Sequence, residues 1–111
     1  MRKKIYCPKV KPLINPTTNK PMVNAYVIYT GKGTFLQSYN TIIVANTFYG
    51  LFLDKSYYAG SATTSRHRNA FLKVTNKEFK DNLDKGLYKF TQLNYERFYD
   101  EVLFTVSNNK H

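Results

Sequence analysis

Residues 22–46, MVNAYVIYTGKGTFLQSYNTIIVAN, decide the fold. Val, Ile, Tyr and Phe dominate 22–30 (MVNAYVIYT) and 34–46 (TFLQSYNTIIVAN), the composition of strands. Between them Gly31-Lys32-Gly33 places two glycines in three residues, which makes a tight turn with positive φ cheap. The stretch predicts an antiparallel hairpin over 22–46, with 23–30 paired to 34–44. Polar residues interrupt its second arm at Gln37, Ser38, Tyr39, Asn40 and Thr41. Such a run marks turn geometry, either a bulge or side-chain to backbone bonding.

C-terminal to this stretch, 47–50 (TFYG) reads as a turn and 51–54 (LFLD) as a short strand. The pattern then changes. Residues 61–65 (SATTS) offer several N-caps, with one of Thr63 to Ser65 expected as the cap, and RHRNAFLKV supplies two to three helical turns. His67, Ala70, Phe71 and Val74 share one face of that helix. A second helix starts near Asn76 and runs through NKEFKDNLDKG to Gly86, a C′ glycine, with Phe79 and Leu83 turned to the core. Residues 87–93 (LYKFTQL) read as a strand, and the tail from Tyr95 suits either helix or strand.

N-terminal to it, residues 8–21 hold all four prolines, so this basic stretch is neither helix nor central strand. An extended arm or loop over 1–21 is expected, with a short strand at Lys4 to Tyr6. The order of elements predicts an α+β domain. A small antiparallel sheet carries one or two short helices on one face, in a single domain of 111 residues with a C-terminal extension over 95–111.

The formal net charge is +10, and residues 1–53 contain no acid at all. A one-signed field over half a domain favours an acidic partner. Lysine and asparagine also accumulate in chains from AT-rich genomes, where the charge serves solubility. Ten tyrosines are more than a core this size can hide with every hydroxyl bonded, so several rings are expected at the surface. The single cysteine, Cys7, excludes an internal disulfide, and with only His67 and His111 as histidines no metal or other cofactor is expected. The basic N-terminus lacks the apolar run of a signal peptide, and no stretch of about 18 apolar residues exists to span a membrane. A cytoplasmic protein, free of membrane, is expected.

No catalytic constellation stands out, and an enzyme is not expected. Cys7 and His67 match no nucleophile–base spacing. The acids Glu78, Asp81 and Asp84 alternate with lysines, as on a solvated helix face, and Asp54 alone is thin support for a metal-dependent nuclease. The segment Ser61 to Asn69, SATTSRHRN, is more distinctive. A helix start with hydroxyls, Arg66, His67 and Arg68 suits an anion such as phosphate. The plainer reading makes the hydroxyls caps and has the arginines solvated or stacked on Tyr57 and Tyr58.

The phrases LQSYNT (36–41) and TTSRHRN (63–69), with LFLD and KEFKDNLDKGLYK between and after them, resemble an uncharacterised family of small phage and mobile-element proteins of low-GC Gram-positive bacteria. The resemblance covers about residues 34–94. It implies an accessory role in the host cell cytoplasm and carries over no catalytic residue. Together with the charge, it leads to the expectation of a binding protein for nucleic acid or a host nucleoprotein. Lys9, Lys11, Lys32, Arg66, His67 and Arg68 would meet phosphates, and exposed Tyr26, Phe35 or Tyr39 would stack on bases. The alternative is an anti-CRISPR-type inhibitor of a host defence protein, acting by protein–protein contact.

Overall fold

The computed structural model describes residues 9–94. Six strands form one sheet in the order of the chain: β1 (Lys9–Ile14), β2 (Pro21–Thr30), β3 (Gly33–Ser38), β4 (Thr41–Thr47), β5 (Gly50–Asp54) and β6 (Tyr88–Thr91). The first five run antiparallel as a meander, and β6 lies parallel to β5. Parallel neighbours need a crossover. Here it consists of α1 (Ala62–Leu72) and α2 (Asn76–Asp84). The expected α+β class is what the chain adopts.

The hairpin forms, but its second arm is two strands. Residues 25–30 pair with 33–38 around the turn Gly31–Lys32, and 41–47 then fold back on 33–38. The reversal is at Tyr39–Asn40, within the polar run. Tyr39 is left-handed there (φ 55°), its N–H donating to Asn24 O at 2.7 Å and its carbonyl accepting from Gln37 Nε2 at 2.7 Å. A second irregularity falls between Leu36 and Gln37, opposite Ile43. At the first turn Gly33 is obligatory: a Cβ would lie 2.5 Å from Asn46 O.

The proline-rich stretch is more than an arm. Residues 9–14 pair with β2 as an edge strand, Pro12 opposite Tyr26, with a register shift before Ile14. One side of an edge strand carries no ladder, so a missing N–H is tolerated there. The expected strand at Lys4 to Tyr6 and the C-terminal extension fall outside the described residues.

Strand alternation divides the side chains between two faces. Leu13, Ala25, Val27, Leu36, Val44 and Leu53 point toward the helices and bury against Phe79 and Tyr88, with Phe71, Leu72 and Leu83 packed around them. Burying each of the larger aliphatic side chains contributes about 1.5–3 kcal/mol. Phe35, Ala45, Phe52 and Leu93 form a second buried cluster with Ile28, Ile42 and Tyr49. Asp54 ties the end of β5 to the segment after β6. It accepts from Ser56 N (3.0 Å) and Tyr57 N (2.9 Å) on one oxygen, and from Leu93 N (2.8 Å) and Asn94 Nδ2 (3.0 Å) on the other.

Both helices are capped by side chains. Ser61, two residues before the expected range Thr63 to Ser65, is the N-cap of α1 and accepts from Thr64 N at 3.1 Å. Thr75 and Glu78 form a reciprocal capping box on α2, which ends at Lys85 followed by left-handed Gly86. Ser61→Ala should therefore cost about 1 kcal/mol, whereas Thr63→Ala and Ser65→Ala, inside the first turn, should cost no more than about 0.5 kcal/mol. Urea unfolding midpoints of the three variants check this, and a larger loss at Thr63 than at Ser61 would refute the assignment.

Candidate nucleic-acid interface

Helix α1 places the residues of the RHR segment in three different environments. Arg66 is exposed, with Nη2 3.4 Å from Thr63 Oγ1. His67 and Arg68 are buried, at 2% and 4% exposure, which corrects the expectation that they meet phosphates at the surface beside Arg66. Successive helical residues point about 100° apart, so His67 meets the sheet while Arg68 meets α2.

His67 Nδ1 lies 2.8 Å from Ser38 Oγ, and its ring is 6.0 Å from that of Tyr39. Burial pushes the imidazole below its ordinary pKa of about 6.5. The backbone of Val23 opposes this and the charge of Arg66 reinforces it. A neutral ring protonated on Nε2 accepts the Ser38 hydroxyl. Serine and histidine are both buried, and the pair clips α1 to β3.

Arg68 lies over the Phe79 ring, 3.5 Å from its centroid, and donates from Nη1 to Tyr58 O (3.1 Å) and from Nε to Asn69 Oδ1 (3.0 Å). Burial lowers its pKa, but a guanidinium remains charged in a protein. Arg68 is thus neither solvated nor stacked on Tyr57 or Tyr58: Phe79 is its aromatic partner and the Tyr58 carbonyl its acceptor. An anion site built on Arg66, His67 and Arg68 together does not form.

The other expected residues are spread over the sheet. Lys9 and Lys11 stand on β1 opposite Tyr29 and Val27, and Lys32 occupies the β2–β3 turn at the same end of the sheet as Lys9. Tyr39 is at the other end of β3, half exposed. Tyr26 is partly exposed, but Phe35 is buried and offers no stacking surface. Among the described residues no three His, Cys, Asp or Glu side chains come together as a metal site. No described helix is long and apolar enough to cross a membrane.

What the tertiary structure adds is a groove between β1 and α1. One part, about 410 Å³, is lined by Asn15, Met22, Arg66, Asn69, Lys73 and Glu78 among others. The next, about 390 Å³, runs over Leu13 and Tyr29 to Thr34 and Asn46 below Phe71. Ala70 and Lys73 line both. Of the lining residues only Glu78 is acidic, and its carboxylate is held in the capping box by Thr75 N at 2.8 Å. Lys73 closes α1 in the left-handed conformation (φ 59°), which glycine usually fills. Lys73, Tyr29, Thr34 and Asn46 were not singled out from sequence. The apolar pair Phe71–Leu72 directly before Lys73, and the cap Thr75 just after it, were the local signal that a helix break exposes this lysine.

His67 gives a pH test of this arrangement. A folded pKa below the unfolded one means that the histidine's contribution is complete above about pH 6.5 and is lost as pH falls, because the unfolded chain takes up the proton first. The wild type should lose more stability between pH 7 and 5 than His67→Gln does, measured by urea unfolding at each pH. Equal losses would show that burial does not hold the ring neutral.

No curated protein and no solved structure matches the chain. Residues 9–86, from the first residue of β1 through the C′ glycine of α2, match the model of a family of unknown function. The match includes the proline-rich strand that the resemblance seen in the sequence left out. Well over half of the chain is covered, and the protein belongs to this family, DUF8033.

Proposed function

We propose that this protein is a phage or mobile-element accessory module that binds nucleic acid, alone or within a nucleoprotein, and performs no chemistry of its own. The observation that carries the reading is the β1–α1 groove. Arg66 and Lys73 line it, and Lys9 and Lys11 project from the strand beside it on the same face as Leu13. Its one acidic lining residue is engaged in a helix cap. Cations along a groove neutralise successive phosphates and release their counterions, which makes binding strongly salt-dependent. The chain's net charge of +10 adds a field of the same sign.

Of the two residues that test this, Arg66 is expected from the sequence and Lys73 is added by the groove. Arg66→Ala with Lys73→Ala should weaken binding to single-stranded DNA or RNA by roughly tenfold. The double change should also flatten the plot of log K against log salt by about 1.4–1.8, two phosphate contacts' worth. Arg68→Ala should instead lower the unfolding temperature, because it removes a buried stack and leaves the Tyr58 carbonyl without its donor. Fluorescence anisotropy across a salt series and thermal unfolding separate the two effects. Absence of binding to either nucleic acid at about 50 mM salt, where electrostatic binding is strong, would refute the reading. A host protein then captured from nuclease-treated lysate would favour the inhibitor.

A further inference from the structure

The register of the sheet puts one row of side chains in line on the helix-facing surface: Lys9 on β1, Tyr29 on β2, Thr34 on β3, Asn46 on β4 and Leu51 on β5. The neighbouring row, Val27, Leu36, Val44 and Leu53, is apolar and buried. Alternation alone would make both rows core. The outer row differs because α1 ends at Leu72 and leaves it open, as part of the groove. Asn46 is exposed on a central strand, and Tyr29, two strands away in the same row, is 40% exposed. Among the described residues no side chain bonds to the Asn46 carboxamide or the Thr34 hydroxyl.

We propose that this row is a subsite for one unpaired nucleobase, a deepening that rests on the nucleic-acid reading above. Tyr29 supplies the ring on which the base stacks. Tyr29 and Asn46 are separated by two strand spacings, about 9–10 Å, with Thr34 between them. That span takes a base lying on the tyrosine with its edge turned to the carboxamide. Asn46 presents a donor and an acceptor side by side, the pair that reads the edge of a base, and Thr34 adds a hydroxyl. Lys9, registered with Tyr29, and Lys73 at the cleft wall flank the site for the adjoining phosphates. An acidic peptide would satisfy the lysines but leave the stacked ring and the carboxamide unmatched. A duplex keeps its bases stacked inside, so the site selects single strands.

The test compares oligo(dA), oligo(dC) and oligo(dT) of about 12 nucleotides, within the span one small domain covers, by anisotropy at two salt concentrations. The wild type should prefer one base by about tenfold over the poorest. Asn46→Leu should erase that preference and leave the salt slope unchanged, and Thr34→Val should reduce it. Tyr29→Ala should weaken all three oligonucleotides by about tenfold. Unfolding temperatures confirm that each variant folds, and Thr34→Val, the smallest change, keeps the test sound should Asn46→Leu not fold. A wild type that binds all three equally, or a folded Asn46→Leu that keeps the preference, overturns the subsite while phosphate binding through the groove stands. A wild type that binds none of them, nor any RNA, overturns both.

Discussion

Two consecutive polar residues, His67 and Arg68, attach α1 to the rest of the molecule. A helix usually docks through an apolar stripe, and α1 has little of one. Its buried residues are a histidine held by Ser38 and an arginine laid on Phe79. Burying a guanidinium is costly unless its donors and its charge are met. Here a backbone carbonyl, a side-chain amide and an aromatic face meet them, with no carboxylate partner among the described residues. Phe79 in turn stacks on Tyr88 at 5.1 Å, so the contact runs from α1 through α2 to β6. These contacts, together with Ala70, Phe71, Leu72 and Leu83 packed on the core, position both helices on the sheet.

The groove follows from that attachment. His67 pins α1 near the β3–β4 turn, and Arg68 turns the helix's other side to α2. The last turn of α1 is left beside β1 and the open end of the sheet, with Phe71, Leu72 and Lys73 over Tyr29, Thr34 and Asn46. A left-handed residue that is not glycine carries a small conformational cost, and such costs collect at functional positions. Lys73 carries it where the two parts of the groove meet. At the far side of the sheet Asp54 makes the opposite use of a charge: one oxygen accepts from Ser56 and Tyr57 just after β5, and the other from Leu93 and Asn94, which holds the chain after β6 against β5.

Much of this was legible without coordinates. The strand at 22–30, the turn at Gly31–Lys32, the short strand ending at Asp54, the presence of two helices and Phe79 in the core all rest on local signals: β-branched runs, glycine, caps and i, i+4 spacing; the cap of α1 falls at Ser61 and not among Thr63 to Ser65. The reversal at Tyr39–Asn40 was visible only as a polar interruption. A tyrosine is a rare occupant of a left-handed turn, and its conformation is held by Gln37, two residues before it, and by Asn24 on the neighbouring strand β2. Edge strand β1 was hidden by its prolines, which argue correctly against a central strand and say nothing about an edge.

The sequence by itself determined the α+β class, the two helices, the turn glycines and the one-signed charge, because each depends on a few neighbouring residues or on composition alone. Only the tertiary structure decided which cations face solvent. Arg66 and Arg68 are two residues apart on one helix, about 200° around its axis. Whether that turn carries a side chain into water or onto Phe79 is set by where α2 and β6 pack. The same holds for the row Lys9, Tyr29, Thr34 and Asn46: four residues from four strands become one surface only through inter-strand register, and it is open only because α1 stops short of it.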